Sequence, residues 1–65
     1  MNVNKLKGKL VEHEKSVDWM AQVIGCDRAT AYRKLNKFEK LTIGDARKLK
    51  VNLELSDVEA AEIFL

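Results

Sequence analysis

Apolar residues recur every three or four positions in five short stretches of the chain, and polar capping residues separate the stretches. Val3, Leu6, Leu10 and Val11 share one face at helical spacing, which predicts a helix over residues 3–14. Ser16 offers a hydroxyl to an orphan amide, and Asp18 suits the positive end of a helix dipole. Met20, Ala21, Val23 and Ile24 give the second helix, over 17–24, its buried side, and Gly25 ends it where a positive φ is wanted. Asp27 caps a third helix over 28–37. Its apolar stripe is narrow (Ala31, Leu35 and Phe38), and the rest of its surface is polar and cationic. Thr42 opens a fourth helix, with Asp45 in the place of the capping-box acid and Ile43, Ala46, Leu49 and Leu53 facing inward. Ser56 and Glu59 form a second capping box, starting a last helix with Val58, Ala61 and Phe64 on its inner side. The expected architecture is all-α, a compact bundle of about five short helices in one domain over residues 1–65.

Composition narrows the function more than the fold. A 65-residue chain buries only about 60% of the surface that its unfolded form exposes, which leaves no room for a deep substrate cleft and its scaffold. A hydrophobic content of 46% is too high for a disordered tail, while the absence of proline and an aromatic content of 6% disfavour a small β-barrel. The net charge is +2, but it is unevenly spread. Through Lys40 nine basic side chains face five acidic ones, a net +4, and the remainder carries three against five, a net −2. The basic portion suits a polyanion.

Catalytic chemistry finds little to stand on. Ser16 and Ser56 fall at helix caps, and the Glu12/Glu14 and Glu59/Glu62 pairs have no apolar cleft to tune them. There is no glycine-rich phosphate loop. A single His13 and a single Cys26 in no ligand spacing imply no metal, and no cofactor or small-molecule ligand is expected. The lone cysteine fits a reducing compartment, no apolar run reaches the roughly 20 residues of a membrane span, and no signal peptide opens the chain. The expected setting is the cytoplasm, with no membrane partner, and an enzyme is not expected.

Residues 16–37 carry a sharper signal. A short helix, a turn of about three residues and a second polar helix form the arrangement of a DNA-binding helix-turn-helix. Ala21 is small where the two helices cross, Gly25 supplies the turn, Cys26 tucks a small apolar group under the corner, and Ala31 and Leu35 face back from the next helix. With the leading Leu6 and Leu10, the stretch Thr30-Ala31-Tyr32-Arg33-Lys34-Leu35-Asn36 and the Leu41-Thr42-Ile43-Gly44-Asp45 opening of the fourth helix, the chain resembles the phage Cro and CI repressor class of the XRE-like helix-turn-helix family. The resemblance covers nearly the whole chain. It departs at three positions: Val17 stands where the class often carries a phosphate-contacting Gln, Ala31 where a larger residue is usual, and Trp19 where a polar one is common.

The resemblance implies a sequence-specific transcriptional regulator that occupies double-stranded operator DNA through the major groove and represses transcription in a bacterial host. It places base readout at Arg28, Ala29, Thr30 and Arg33, where a guanidinium can meet guanine O6 and N7 and a methyl group can meet thymine. Arg28 serves equally well as a phosphate contact. Phosphate contacts, which set register rather than sequence, are expected from Ser16, Asp27, Tyr32, Lys34, Lys37, Lys40 and Thr42. Tyr32 is open between a core edge and a phosphate, and Trp19 between packing and the DNA backbone. Lys5, Lys7 and Lys9 are expected to be solvated. One recognition helix reads few base pairs, so a homodimer on DNA, weak in free solution, is expected, with its interface among Leu53, Leu55, Ile63, Phe64 and Leu65. The alternative is a small antirepressor or co-repressor that binds a repressor through those same apolar residues.

Overall fold

The computed structural model describes residues 2–36 and 40–65. Five helices form among them: α1 (Val3–Glu12), α2 (Val17–Ile24), α3 (Arg28–Leu35), α4 (Ile43–Asn52) and α5 (Asp57–Phe64), with no strand among the described residues. The protein is a small all-α bundle. Each helix starts at a side chain that accepts from the third amide of its first turn: Asn2, Ser16, Asp27, Thr42 and Ser56 in chain order. At Thr42 and Ser56 the box is reciprocal, with Asp45 and Glu59 returning a bond to the capping residue's own amide.

α2 packs against both α3 and α4, α1 packs against α5 and α3, and α4 adjoins α5. Leu6, Leu10, Met20, Ile24, Leu35, Leu49, Leu53, Leu55 and Ile63 form one core, with Val17, Trp19, Val23, Cys26, Leu41 and Phe64 leaning on it. Several inward assignments need correction. Val11 and Ile43 are both 76% exposed, Val58 and Ala61 lie at the surface, and the side chain that α5 buries is Ile63. α5 carries apolar residues on two sides, so spacing alone does not choose between them. The choice is made by α1: the Asn2 amide donates to the Ile63 carbonyl at 2.7 Å, and Lys5 and Lys9 reach Glu62 and Glu59. Of the five residues among which an interface was expected, Leu53, Leu55 and Ile63 belong to the core.

The ends of α1 and α4 are built alike. In each, a glutamate adopts the left-handed conformation, Glu14 at φ 56° and Glu54 at φ 53°. The amide after each glutamate bonds back to a carbonyl of the last turn, Lys15 to Leu10 at 2.7 Å and Leu55 to Lys50 at 2.9 Å. This is the Schellman arrangement, in which glycine is the usual residue. It ends α1 at Glu12, two residues before the expected position, and in both corners the serine two residues after the glutamate caps the next helix.

Lys5, Lys7 and Lys9 are not the loose solvated lysines expected. Lys5 pairs with Glu62, Lys7 donates to the Asn36 side chain at 3.3 Å, and Lys9 bridges Glu59 and Glu12. Lys9 and the Ser56 amide hold the Glu59 carboxyl down at about 2, against an ordinary 4.5. A carboxyl depressed on folding adds stability that is complete above its unfolded value and is lost as pH falls through its folded one. The α1–α5 seam is therefore expected to weaken as pH falls from about 4.5 towards 2. Thermal melts of wild type and Glu59→Gln over that range should show the variant less stable at neutral pH and the two converging at the acid end. A constant gap would place the contribution of Glu59 elsewhere.

Candidate nucleic-acid interface

The turn between α2 and α3 is three residues long. Gly25 lies at φ 77° and ψ 40°, and its amide and that of Cys26 both bond to the Ala21 carbonyl, at 2.9 and 3.0 Å. A Cβ on Gly25 would meet nothing within 4 Å, so glycine is required here by backbone conformation and not by space. Ala21 and Ala31 are buried on the two adjoining helices, and Cys26 is half-buried against the core, as expected of a corner plug.

α3 is anchored by Ala31 and Leu35 alone among its own residues. At 3.6 residues per turn, Arg33 projects opposite those two side chains, with Ala29 beside it. Ala29 and Arg33 are exposed, and Thr30 is half-buried. Arg33 Nη2 donates to Thr30 Oγ1 at 3.2 Å, which ties the guanidinium to a second expected readout residue. Arg28 lies nearer the core edge, where its Nε meets Asp18 Oδ1 at 3.0 Å. Both of those side chains are well exposed, and such a pair contributes little and exchanges readily for another anion. Tyr32 is exposed on the same flank as Arg28.

The expected phosphate contacts divide into three groups. Ser16, Asp27 and Thr42 are N-caps whose side-chain oxygens accept from backbone amides, Asp27 Oδ1 from Thr30 at 2.7 Å. The bonds from Thr30 hold the Asp27 carboxyl below its ordinary value, so it is an anion at neutral pH, and any phosphate there would be met by the helix amides and not by this carboxylate. Tyr32 and Lys40 are exposed. Lys37, and Phe38 of the expected apolar stripe, lie outside the described residues. Lys34 does not present a free ammonium: its Nζ is 2.5 Å from Asp45 Oδ2, with the two side chains 13% and 10% exposed. The structure thus places this expected phosphate contact in an ion pair within the protein, where its charge is matched by a carboxylate.

Trp19 leans on the core with Lys15 Nζ 5.2 Å from its ring centroid, a geometry that favours packing over backbone contact. Sequence reasoning missed the partners of Lys7, Arg28 and Lys34. Asp18 and Asp45 lie on other helices and Asn36 at the end of α3, beyond the reach of spacing rules. Asp45 was legible as a capping residue, but nothing local marked its second partner.

On the side formed by α4 and α5 an open apolar groove of about 360 Å³ is lined by Leu41, Ile43, Ala46, Ala61, Phe64 and Leu65 among others. No group of histidine, cysteine and acidic side chains among the described residues could hold a metal ion. No helix among them is long and apolar enough to cross a membrane. Comparison of the chain with family models, with curated proteins and with solved structures finds no match.

Proposed function

We propose that this chain is a sequence-specific double-stranded DNA-binding regulator of the Cro and repressor type, which occupies operator half-sites with α3 in the major groove and represses transcription. The observation that carries the reading is the construction of α3. It is a helix held by two small-to-medium side chains over a three-residue glycine turn, with Arg33 and Ala29 on the face opposite them. The width of the major groove admits such a helix, and a guanidinium on its outer face matches guanine. Arg28 and Thr30 complete the readout set, with Tyr32, Lys40 and the amides at the Ser16, Asp27 and Thr42 caps on phosphates.

The groove between α4 and α5 supports a homodimer that forms on DNA. Ile43 and Leu65 are exposed there beside a half-buried Phe64, which leaves apolar surface for a second copy to cover. The same groove favours the alternative reading, an antirepressor or co-repressor that covers it with another protein.

Selection of bound duplexes from a random pool separates the two. A regulator returns a half-site repeated at a spacing of about one helical turn, and sedimentation with that duplex shows two chains bound to it. A module that acts only on proteins returns no sequence. On the selected duplex, Arg33→Ala should flatten preference at one base pair of each half-site, by about 1–3 kcal/mol. Lys40→Ala should weaken all sequences alike and lower the salt slope by about 0.9. Uniform loss from Arg33→Ala would put Arg33 on a phosphate and overturn the placement of α3.

A further inference from the structure

Asp45 is the one charged residue buried among the described residues. Its Oδ2 accepts from two directions, from the Thr42 amide at 3.1 Å within its own capping box and from Lys34 Nζ at 2.5 Å across the gap to α3. Burial pushes the carboxyl up, and the bonds from Lys34 and the Thr42 amide outweigh it, so the group stays below its ordinary value and remains ionised. The pairs formed by Lys5, Lys50 and Arg28 have one or both partners at the surface.

The place of this pair matters because α3 is weakly constrained about its own axis. Its apolar stripe is Ala31 and Leu35, it packs on α2 and α1, and it makes no backbone-level contact with α4. A narrow stripe fixes where a helix lies better than how far it is rolled. Ion pairs stand on the two flanks, Arg28–Asp18 towards α2 and Lys34–Asp45 towards α4, and only the second is enclosed. Lys34 is also the residue next to Arg33, about 100° around the helix. Released from Asp45, its four-carbon stem would carry an ammonium to the same surface.

We infer that Asp45 is a positioning residue for the recognition surface: it fixes the roll of α3 through Lys34 and keeps that lysine off the phosphates, so that α3 reads bases with less sequence-independent attraction. This rests on the DNA-binding reading. It makes a buried carboxylate a determinant of specificity, and it predicts that removing a negative charge raises the share of binding that ignores sequence.

The test uses Asp45→Asn, which keeps an acceptor for the Thr42 amide, and Lys34→Met combined with Asp45→Asn, which leaves a neutral pair. Reductive methylation of the lysines, followed by mass spectrometry, reports on the ion pair without DNA. Lys34 is expected to react several-fold more slowly than exposed Lys48 in wild type and at a similar rate in Asp45→Asn. Titrations of the selected duplex and a random duplex over a salt series report on the function. Asp45→Asn is expected to steepen the salt slope by about 0.9, as one added phosphate contact would, and to narrow the ratio of selected to random binding. The double variant is expected to return to the wild-type slope.

A wild-type Lys34 that reacts as fast as Lys48 overturns the inference, as does an Asp45→Asn slope equal to that of wild type. A double variant that keeps the steeper slope does the same, since the added charge would then not be that of Lys34. A wild type that binds no duplex removes the DNA-binding reading and this inference with it, whereas binding with an unchanged slope removes this inference alone.

Discussion

Leu49→Ala is expected to cost about 2–5 kcal/mol, the range for deleting a fully enclosed leucine side chain. Leu49 is 0% exposed on α4, in a core fed by all five helices. At about 0.05–0.15 kcal/mol per residue, a domain of this size has a total stability of about 3–10 kcal/mol. The variant should therefore lose a large share of its stability and melt well below the wild type. The informative comparison is Ile43→Ala on the same helix. Sequence spacing treats the two residues alike, yet Ile43 is 76% exposed and should change stability by no more than about 0.5 kcal/mol. Urea titrations followed by circular dichroism give both values. Equal losses from the two variants would mean that α4 is rotated relative to the described packing.

Ala21→Leu is expected to cost about 1–3 kcal/mol by overpacking. Ala21 is buried on α2 at 5% exposure, and its carbonyl accepts both amides of the turn, so a larger side chain strains the packing and the corner together. Because the same corner directs α3, the proposed DNA binding should fall by more than the lost stability accounts for. Ala29→Leu, which adds the same atoms on the exposed face, is the control and should leave the melting midpoint within a few degrees. A midpoint unchanged in Ala21→Leu would show that α2 and α3 do not cross at this residue.

The helix starts were legible in the sequence because capping is local. Ser16, Asp27, Thr42 and Ser56 each sit three residues before the amide they satisfy, and each marks its helix correctly. The helix-turn-helix spacing was legible for the same reason, since Gly25 and its neighbours lie within one turn of chain. Helix ends were less so. Glu14 takes a left-handed conformation that only its surroundings impose, and nothing about a glutamate announces it. Inward faces failed where a helix carried apolar residues on two sides, as with Val58 and Ile63 in α5, because the decision belongs to α1. Of the candidate interface, the outer face of α3 could be read from periodicity. The state of each cation could not, since Asp18, Asn36 and Asp45, which engage Arg28, Lys7 and Lys34, lie on other elements or at a helix end.

The paired glutamate corners bear on how such a protein could change. An L-residue in the left-handed conformation carries a cost of about 1–2 kcal/mol that glycine does not. Glycine at positions 14 and 54 would recover part of it at each corner, reduced by the extra freedom glycine gives the unfolded chain. Neither glutamate lies on α3. A lineage exploring new side chains at positions 28, 29 and 33 would meet destabilising combinations, and these two sites could offset them without altering what the helix reads. The proposed recognition surface can thus drift while the scaffold is repaired from the C-terminal ends of α1 and α4.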